Sequence, residues 1–349
     1  MTPKLFFGLT VAAAASLAAA GVVYYNAQTW APNTASGEAL LPDLATRAGN
    51  VASVSVKTAD NTVTVVKKGE SWGIAERAGF PADSDEVREV VVGLTQMTIV
   101  EEKTRNPARY KLLDLDDPET EDSEAKLVTL SDADGKPIAQ LVLGKVKFGV
   151  LGPGRNGTYV RKPGNPQTWL VSGDVAAPIS VRGWAQKAVF EIPKEEVAQI
   201  KIVHADKEEV VLVRGEGEGE VSAFGILNLP EGAKIKQGAD LAFIASSIAQ
   251  LELWDVRQSE PADATAPGVV TSEIIAKNGL KVTVRLVSSK DEDHWVTVAA
   301  EGPEDAKAAV EEINARAKGW VFKVPSYKAQ NFKKRRAELI DPPKTDGDS

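Results

Sequence analysis

Two stretches of this chain, VASVSVKTADNTVTVVKKGE from Val51 and VAQIKIVHADKEEVVLVRGE from Val197, share one pattern at a constant offset of 146 residues. Val54 matches Ile200, Val56 matches Ile202, Ala59-Asp60 matches Ala205-Asp206, and Lys68-Gly69-Glu70 matches Arg214-Gly215-Glu216. Alternating apolar residues, a polar Ala-Asp turn and a second β-branched run predict a β-hairpin in each. An amphipathic helix is predicted after each hairpin. In the first, Asp83 with Glu86 three residues on has capping-box spacing, and Val87, Val90, Val91, Leu94 and Met97 share one face. In the second, Leu241, Ile244, Ile248 and Leu251 do so. The helix exits, MTIVEEKTR and LELWDVRQ, are also alike. A repeat at this period restricts the fold to one that a supersecondary unit can build twice.

Further strands complete each copy. Asp134-Gly135 and Asn278-Gly279 are hairpin turns. GTYVRKPGNPQTWLVSG closes the first copy, and DHWVTVAAEG and GWVFKVP close the second. An added helix in the second turns Ala306, Ala309, Val310, Ile313 and Ala317 inward and stops at Gly319. The expected class is α+β: two tandem copies of antiparallel hairpins packed with an amphipathic helix. The expected boundaries are 51–192 and 193–340. Before them come an N-terminal segment, 1–25, and a tether, 26–50, with Leu40, Leu41 and Leu44 as docking residues. Residues 341–349 are expected to be a disordered tail.

Leu5 to Tyr25 is 21 residues without a charge, long enough as a helix to span about 30 Å of hydrocarbon. Lys4 precedes it, and Glu38 and Asp43 are the first charges after it. The positive-inside rule places the N-terminus in the cytoplasm and the body outside it. A cleaved signal peptide, with Ala18 and Ala20 before Gly21, is the alternative and gives the body the same address.

Composition removes several classes. With 41 Lys+Arg against 49 Asp+Glu the net charge is −8, opposite to the basic face that nucleic acid requires. There is no cysteine, hence no disulfide, thiol nucleophile, thiolate metal site or lipid-bearing Cys. Two histidines, His204 and His294, are too few for a multi-histidine metal site.

The remaining chemical signals read as structure. GPGRNG at Gly152–Gly157 lacks the P-loop Lys-Ser/Thr, so it is a strand–strand turn. GEGEGE at Gly215–Glu220 is a solvated loop. Asp291, Glu292, Asp293 and His294 are adjacent and so point in different directions. His204 is expected at the surface, and Lys333-Lys334-Arg335-Arg336 on a solvated helix face. Trp72, Trp169, Trp184, Trp254, Trp295 and Trp320 either fill the layer between helix and sheet or form an exposed stacking platform. No G-x-S-x-G elbow is present. No catalytic, cofactor-binding or metal-binding residue is assigned, and no cofactor is expected.

LLPDL at Leu40–Leu44, ESWGIAERAGFPAD at Glu70–Asp83, VEEKTRNPARYKLLDLDDP at Val100–Pro118 and TYVRKPGNPQTWLVSG at Thr158–Gly173 resemble the DUF4340 family. The family pattern carries Leu-Gly ahead of its Asp-Pro pair, so Asp114 is a departure. The resemblance implies a bacterial protein anchored in the inner membrane through residues 5–25, with its body in the periplasm. It also implies an accessory role beside ABC-type export components, and it carries no catalytic residues across.

NPARYKLLDLDDP has no counterpart in the second copy and reads as a crossover loop, packed down by Tyr110, Leu113 and Leu115. Pro118 keeps the next strand from starting early. Asp114, Asp116 and Asp117 read as turn formers and, with Tyr110, make the candidate partner surface. The expected function is a membrane-tethered, non-enzymatic periplasmic interaction module, with an ABC-type permease as partner. The alternative is a binding protein or hydrolase for an envelope sugar or lipid. It would use acids of the DLDDP and DEDH segments in a cleft between the copies.

Overall fold

A computed structural model describes residues 37–150, 152–215, 224–264, 266, 269–290 and 293–342. The Leu5–Tyr25 segment, the tether as far as residue 36, Asp291, Glu292 and the tail from 343 lie outside the described residues, as does GEGEGE after Gly215. Among the described residues no helix is long and apolar enough to cross a membrane.

The strands run in chain order β1 Ser53–Lys57, β2 Thr62–Lys68, β3 Ser71–Ile74, β4 Phe80–Ala82, β5 Ile99–Glu102, β6 Lys126–Ser131, β7 Pro137–Lys147, β8 Gly157–Arg161 and β9 Thr168–Ser172. They continue as β10 Ala188–Glu191, β11 Val197–Val203, β12 Glu209–Arg214, β13 Phe224–Ile226, β14 Lys234–Ile235, β15 Gln250–Glu252 and β16 Asp255–Gln258. The last are β17 Val270–Ala276, β18 Lys281–Lys290, β19 Asp293–Glu301, β20 Trp320–Val324 and β21 Ile340–Asp341. All described pairings are antiparallel, and helices accompany the sheets, so the class is α+β. The chain divides into two compact units. Of the described residues, one unit holds those up to Thr62 and those of Val87–Ile179; the other holds those of Val63–Glu86 and those from Ser180.

In the first unit the strand order is β1-β6-β7-β8-β9-β5. Val54 and Val56 of β1 and Val128 and Leu130 of β6 are buried while the residues between them are not, the two-residue alternation of a sheet with one covered face. After β1 the Thr58 N–H donates to the Asn61 carbonyl at 2.8 Å, closing the predicted Ala-Asp turn. After β6, Asp132 Oδ1 accepts from the N–H groups of Asp134 and Lys136, and Gly135 takes φ +78°, as a tight turn requires. The helix Ser84–Gln96 starts directly after Asp83, whose Oδ1 accepts from the Asp85 N–H at 2.9 Å. Its Val87, Val90, Val91 and Leu94 are buried, and so is Met97 beyond it. The tether docks on the edge strand: Ala39 bridges Thr98, and Leu40 and Leu44 are buried.

The second unit has the order β13-β12-β11-β17-β18-β19-β20-β16. The helix Leu241–Ile248 is capped by Asp240, whose Oδ1 accepts from the Phe243 N–H at 2.9 Å, and Leu241, Ile244, Ile248 and Leu251 are buried. The added helix, Lys307–Ala317, is clamped to β19. Asn314 accepts from the Ala300 N–H at 2.9 Å and donates to the Ala300 carbonyl at 2.8 Å.

Residues 63–86 group with this second unit. Packing accounts for it. The Phe80 ring meets Trp320 edge-on at 5.0 Å and Phe322 at 6.3 Å. Arg77 forks onto Asp255, with Nε to Oδ1 at 2.6 Å and Nη2 to Oδ2 at 2.7 Å.

At Gly144 in β7, a Cβ would collide with the Leu113 carbonyl oxygen and reach within 2.8 Å of the Asp114 oxygen. Both are backbone atoms held by a packed loop, so neither yields cheaply. Gly144→Ala is expected to cost about 2 kcal/mol, read as a lowered urea midpoint with the slope unchanged.

Candidate functional site

The crossover from β5 to β6 is a built structure. Asn106 Oδ1 accepts from the Ala108 N–H at 3.1 Å, and Pro107 opens a 3-10 helix, Pro107–Leu113. Tyr110 is 8% exposed, and its hydroxyl donates to the Pro166 carbonyl at 2.7 Å. The Arg161 guanidinium lies over the Tyr110 ring at 5.0 Å and donates from Nε to the Leu115 carbonyl at 3.2 Å. Tyr110, Leu115, Ala125 and Val142 form one buried cluster, with Leu113, Leu127 and Tyr159 against it. Tyr110 and Leu115 therefore pack the loop down as expected.

The four residues of the expected partner surface do different things. Tyr110 contributes a buried ring. Asp114 sits at φ +54°, and its carboxylate lies 3.3 Å from Lys145. Asp117 Oδ1 accepts from the Glu119 N–H at 3.1 Å, closing a turn. Asp116 is partly exposed and Asp117 exposed. A nearby recess is lined by Asp60, Glu119, Glu121, Asp122 and Glu124, and Lys57 pairs with Glu119 at its edge. Among the described residues no group of three or more Asp, Glu or His is placed to hold a metal.

The other sequence signals disperse. GPGRNG is the turn from β7 to β8, outside Leu151, with the Arg155 N–H on the Gly152 carbonyl at 3.1 Å. On β19 His294 is buried while its neighbour Asp293 is exposed, accepting from Trp295 Nε1 at 3.0 Å and pairing with Lys323 at 2.5 Å. His204 was expected at the surface; it is 5% exposed, with Nε2 3.1 Å from the Lys334 carbonyl. The basic run that covers it is not a solvated face either. Arg335 pairs with Asp206 at 2.8 Å and with Glu208, the Arg336 N–H donates to Glu208 at 2.8 Å, and Lys334 pairs with Glu338 at 3.0 Å. Three acids distributed along the chain meet three consecutive basic residues, which periodicity cannot foresee. Of the tryptophans, Trp169 and Trp184 are buried, Trp72, Trp295 and Trp320 are partly buried, and Trp254 is 52% exposed.

Sequence reasoning also missed the charged face of β16. Asp255 and Arg257, two residues apart, share one side of the strand. Asp255 holds Arg77, and Arg257 forks onto Asp263 at 2.7 and 2.8 Å while its guanidinium stacks over Trp295 at 5.2 Å. The Arg257 hydrogen bond keeps the Asp263 carboxyl below the usual carboxylate range. A further buried cation is Lys328, whose Nζ donates to the Ser247 and Gln250 carbonyls at 2.6 and 2.8 Å, at the end of the helix Leu241–Ile248.

Asp114 and Lys328 each give a test. Asp114 holds a left-handed conformation that glycine adopts freely and β-branched residues resist. Asp114→Gly is expected to stay within about 0.5 kcal/mol of wild type, and Asp114→Val to lose about 1–2 kcal/mol in chemical denaturation. Burial lowers the Lys328 pKa from 10.5 to about 8. Between those values the folded chain has shed a proton that the unfolded chain keeps, so stability rises with pH. Relative to Lys328→Met, wild type should gain on the order of 2–3 kcal/mol across this window, measured by denaturation at stepped pH.

Residues 72–268 match the family described as "Domain of unknown function (DUF4340)". No curated protein and no solved structure matches the chain. The matched region includes Arg77, Phe80 and the whole crossover Asn106–Pro118, and it spans more than half of the 349 residues. The chain belongs to the DUF4340 family.

Proposed function

We propose that this chain is a membrane-tethered periplasmic interaction module, anchored in a bacterial inner membrane through residues 5–25 and acting as an accessory of an ABC-type transport system. One observation carries this reading. Three of the acids that looked like chemistry in the sequence are engaged within their own unit as turn caps and ion pairs: Asp114 with Lys145, Asp117 in its turn, Asp293 with Lys323 and Trp295. A preformed surface without converging acid, base or nucleophile serves recognition better than catalysis.

We also read the two halves as copies of one unit. The order β1-β6-β7-β8-β9-β5 is reproduced by β11-β17-β18-β19-β20-β16, and in each half an amphipathic helix precedes the strand that ends on the edge. Antiparallel neighbours joined by short turns arise easily, but the return of an early strand to the far edge is a distinctive crossover. Duplicated scaffolds of this kind offer two related surfaces, which suits a protein that bridges partners. The alternative, hydrolysis or binding with DLDDP and DEDH acids, draws no support from Asp114, Asp117 and Asp293, which are held by their own turns and cations.

Affinity purification of the full chain from crosslinked membranes tests the reading. A permease or ATPase component of an ABC-type system is expected to be enriched over a control in which residues 1–36 carry an unrelated domain. Enrichment equal to that control would sink the proposal.

A further inference from the structure

In a chain with 49 acids, residues 135–173 contain neither Asp nor Glu but carry Lys136, Lys145, Lys147, Arg155, Arg161 and Lys162. This stretch forms β7, β8 and β9 of the first unit. Three of its cations have partners: Lys145 on Asp114, Arg161 over Tyr110 and Lys162 over Trp169. Lys147 and Arg155 stand exposed at the tip of the β7–β8 hairpin. Between them is Phe148, 79% exposed, the most exposed large hydrophobic among the described residues. The second most exposed is Leu112, at 69%. It belongs to the crossover that lies against the same strand, with Lys145 donating to the Leu112 carbonyl at 3.2 Å. At a rise of about 3.3 Å per residue, Lys145 is only about 10 Å along β7 from Phe148.

We propose that this tip, with Phe148, Lys147, Arg155 and Leu112, docks the first unit on an anionic lipid bilayer. The inference rests on the membrane-anchored reading above and adds a second contact to it. Aromatic and aliphatic side chains partition into the headgroup boundary while neighbouring Lys and Arg meet anionic headgroups, the combination an interfacial contact needs. An acidic protein partner would use the charges but leaves a phenylalanine and a leucine without a reason to stand in water. The net charge of −8 opposes any other approach of the body to an anionic surface, so the acid-free hairpin selects the orientation.

The register places the tip near the tether. Lys147 pairs with Gly157 and Gly157 with Ser172, the Ser172 N–H donates to the Thr98 carbonyl at 2.8 Å, and Thr98 bridges Ala39. Four strand spacings separate Lys147 from the incoming chain, about 20 Å. Eleven residues lie between Tyr25 and Gly37, a reach of at most about 40 Å. A bilayer holding residues 5–25 is therefore within range of the tip, and the tether supplies a high effective concentration for a weak contact.

The absence of cysteine makes Phe148→Cys a single labelling site. The full chain carrying an environment-sensitive fluorophore there is reconstituted with phosphatidylcholine vesicles, with or without phosphatidylglycerol. Asp134→Cys, in the turn at the other end of β7, serves as the reference. Flotation reports the anchor independently. The expected result is flotation with both lipids, and a blue-shifted label at 148 quenched by brominated acyl chains only when phosphatidylglycerol is present. The label at 134 stays in water. Lys147→Gln and Arg155→Gln should each weaken the shielded population about fivefold. Flotation with the 148 label as wet as the 134 label overturns the tip and leaves the anchor standing. A chain that does not float overturns both. Equal shielding at both labels, shielding indifferent to lipid charge, or shielding that appears only when membrane proteins are added also overturns the proposal.

Discussion

A close approach of two backbones organises the first unit. Gly144 lets the carbonyls of Leu113 and Asp114 lie directly on β7, and no other residue leaves that room. The consequences run outward from this contact. Tyr110 and Leu115 can then reach the cluster with Val142, Asp114 turns through its left-handed conformation beside Lys145, and Arg161 closes over both the Tyr110 ring and the Leu115 carbonyl.

The second unit relies on paired charges along one strand. Asp255 and Arg257 on β16 each engage a partner by a two-point fork, Arg77 and Asp263 respectively, and the Arg257 guanidinium stacks over Trp295. Forked Arg–carboxylate pairs fix geometry as well as distance. Together with the edge-on rings of Phe80 and Trp320 they bring residues 63–86 into this unit.

Much of this was legible before any coordinates. The two-residue alternation of SVSV and IKIV, the Asp-Gly and Asn-Gly turns and the helix faces at Val87–Leu94 and Leu241–Ile248 are local signals, and each element formed where its pattern lies. Tyr110 and Leu115 were readable as anchors because large apolar residues in an otherwise polar crossover must be buried somewhere. His204 and the run Lys333–Arg336 were misread, since their surroundings come from residues more than a hundred positions away. A buried histidine and an ion-paired basic run are indistinguishable from solvated ones until the facing segment is known.

By itself the sequence determined the α+β class, the hairpin and helix positions and the family. Side-chain periodicity and turn chemistry act over a few residues, and they are written into the chain. Only the tertiary structure decided that residues 63–86 join the second unit, that Asp114 occupies a glycine-like conformation, and that Leu112 of the crossover lies against β7, which leads to the exposed Phe148 in an acid-free basic stretch. Those outcomes depend on which distant surfaces meet, where burial, a forked ion pair or a missing Cβ outweighs local preference.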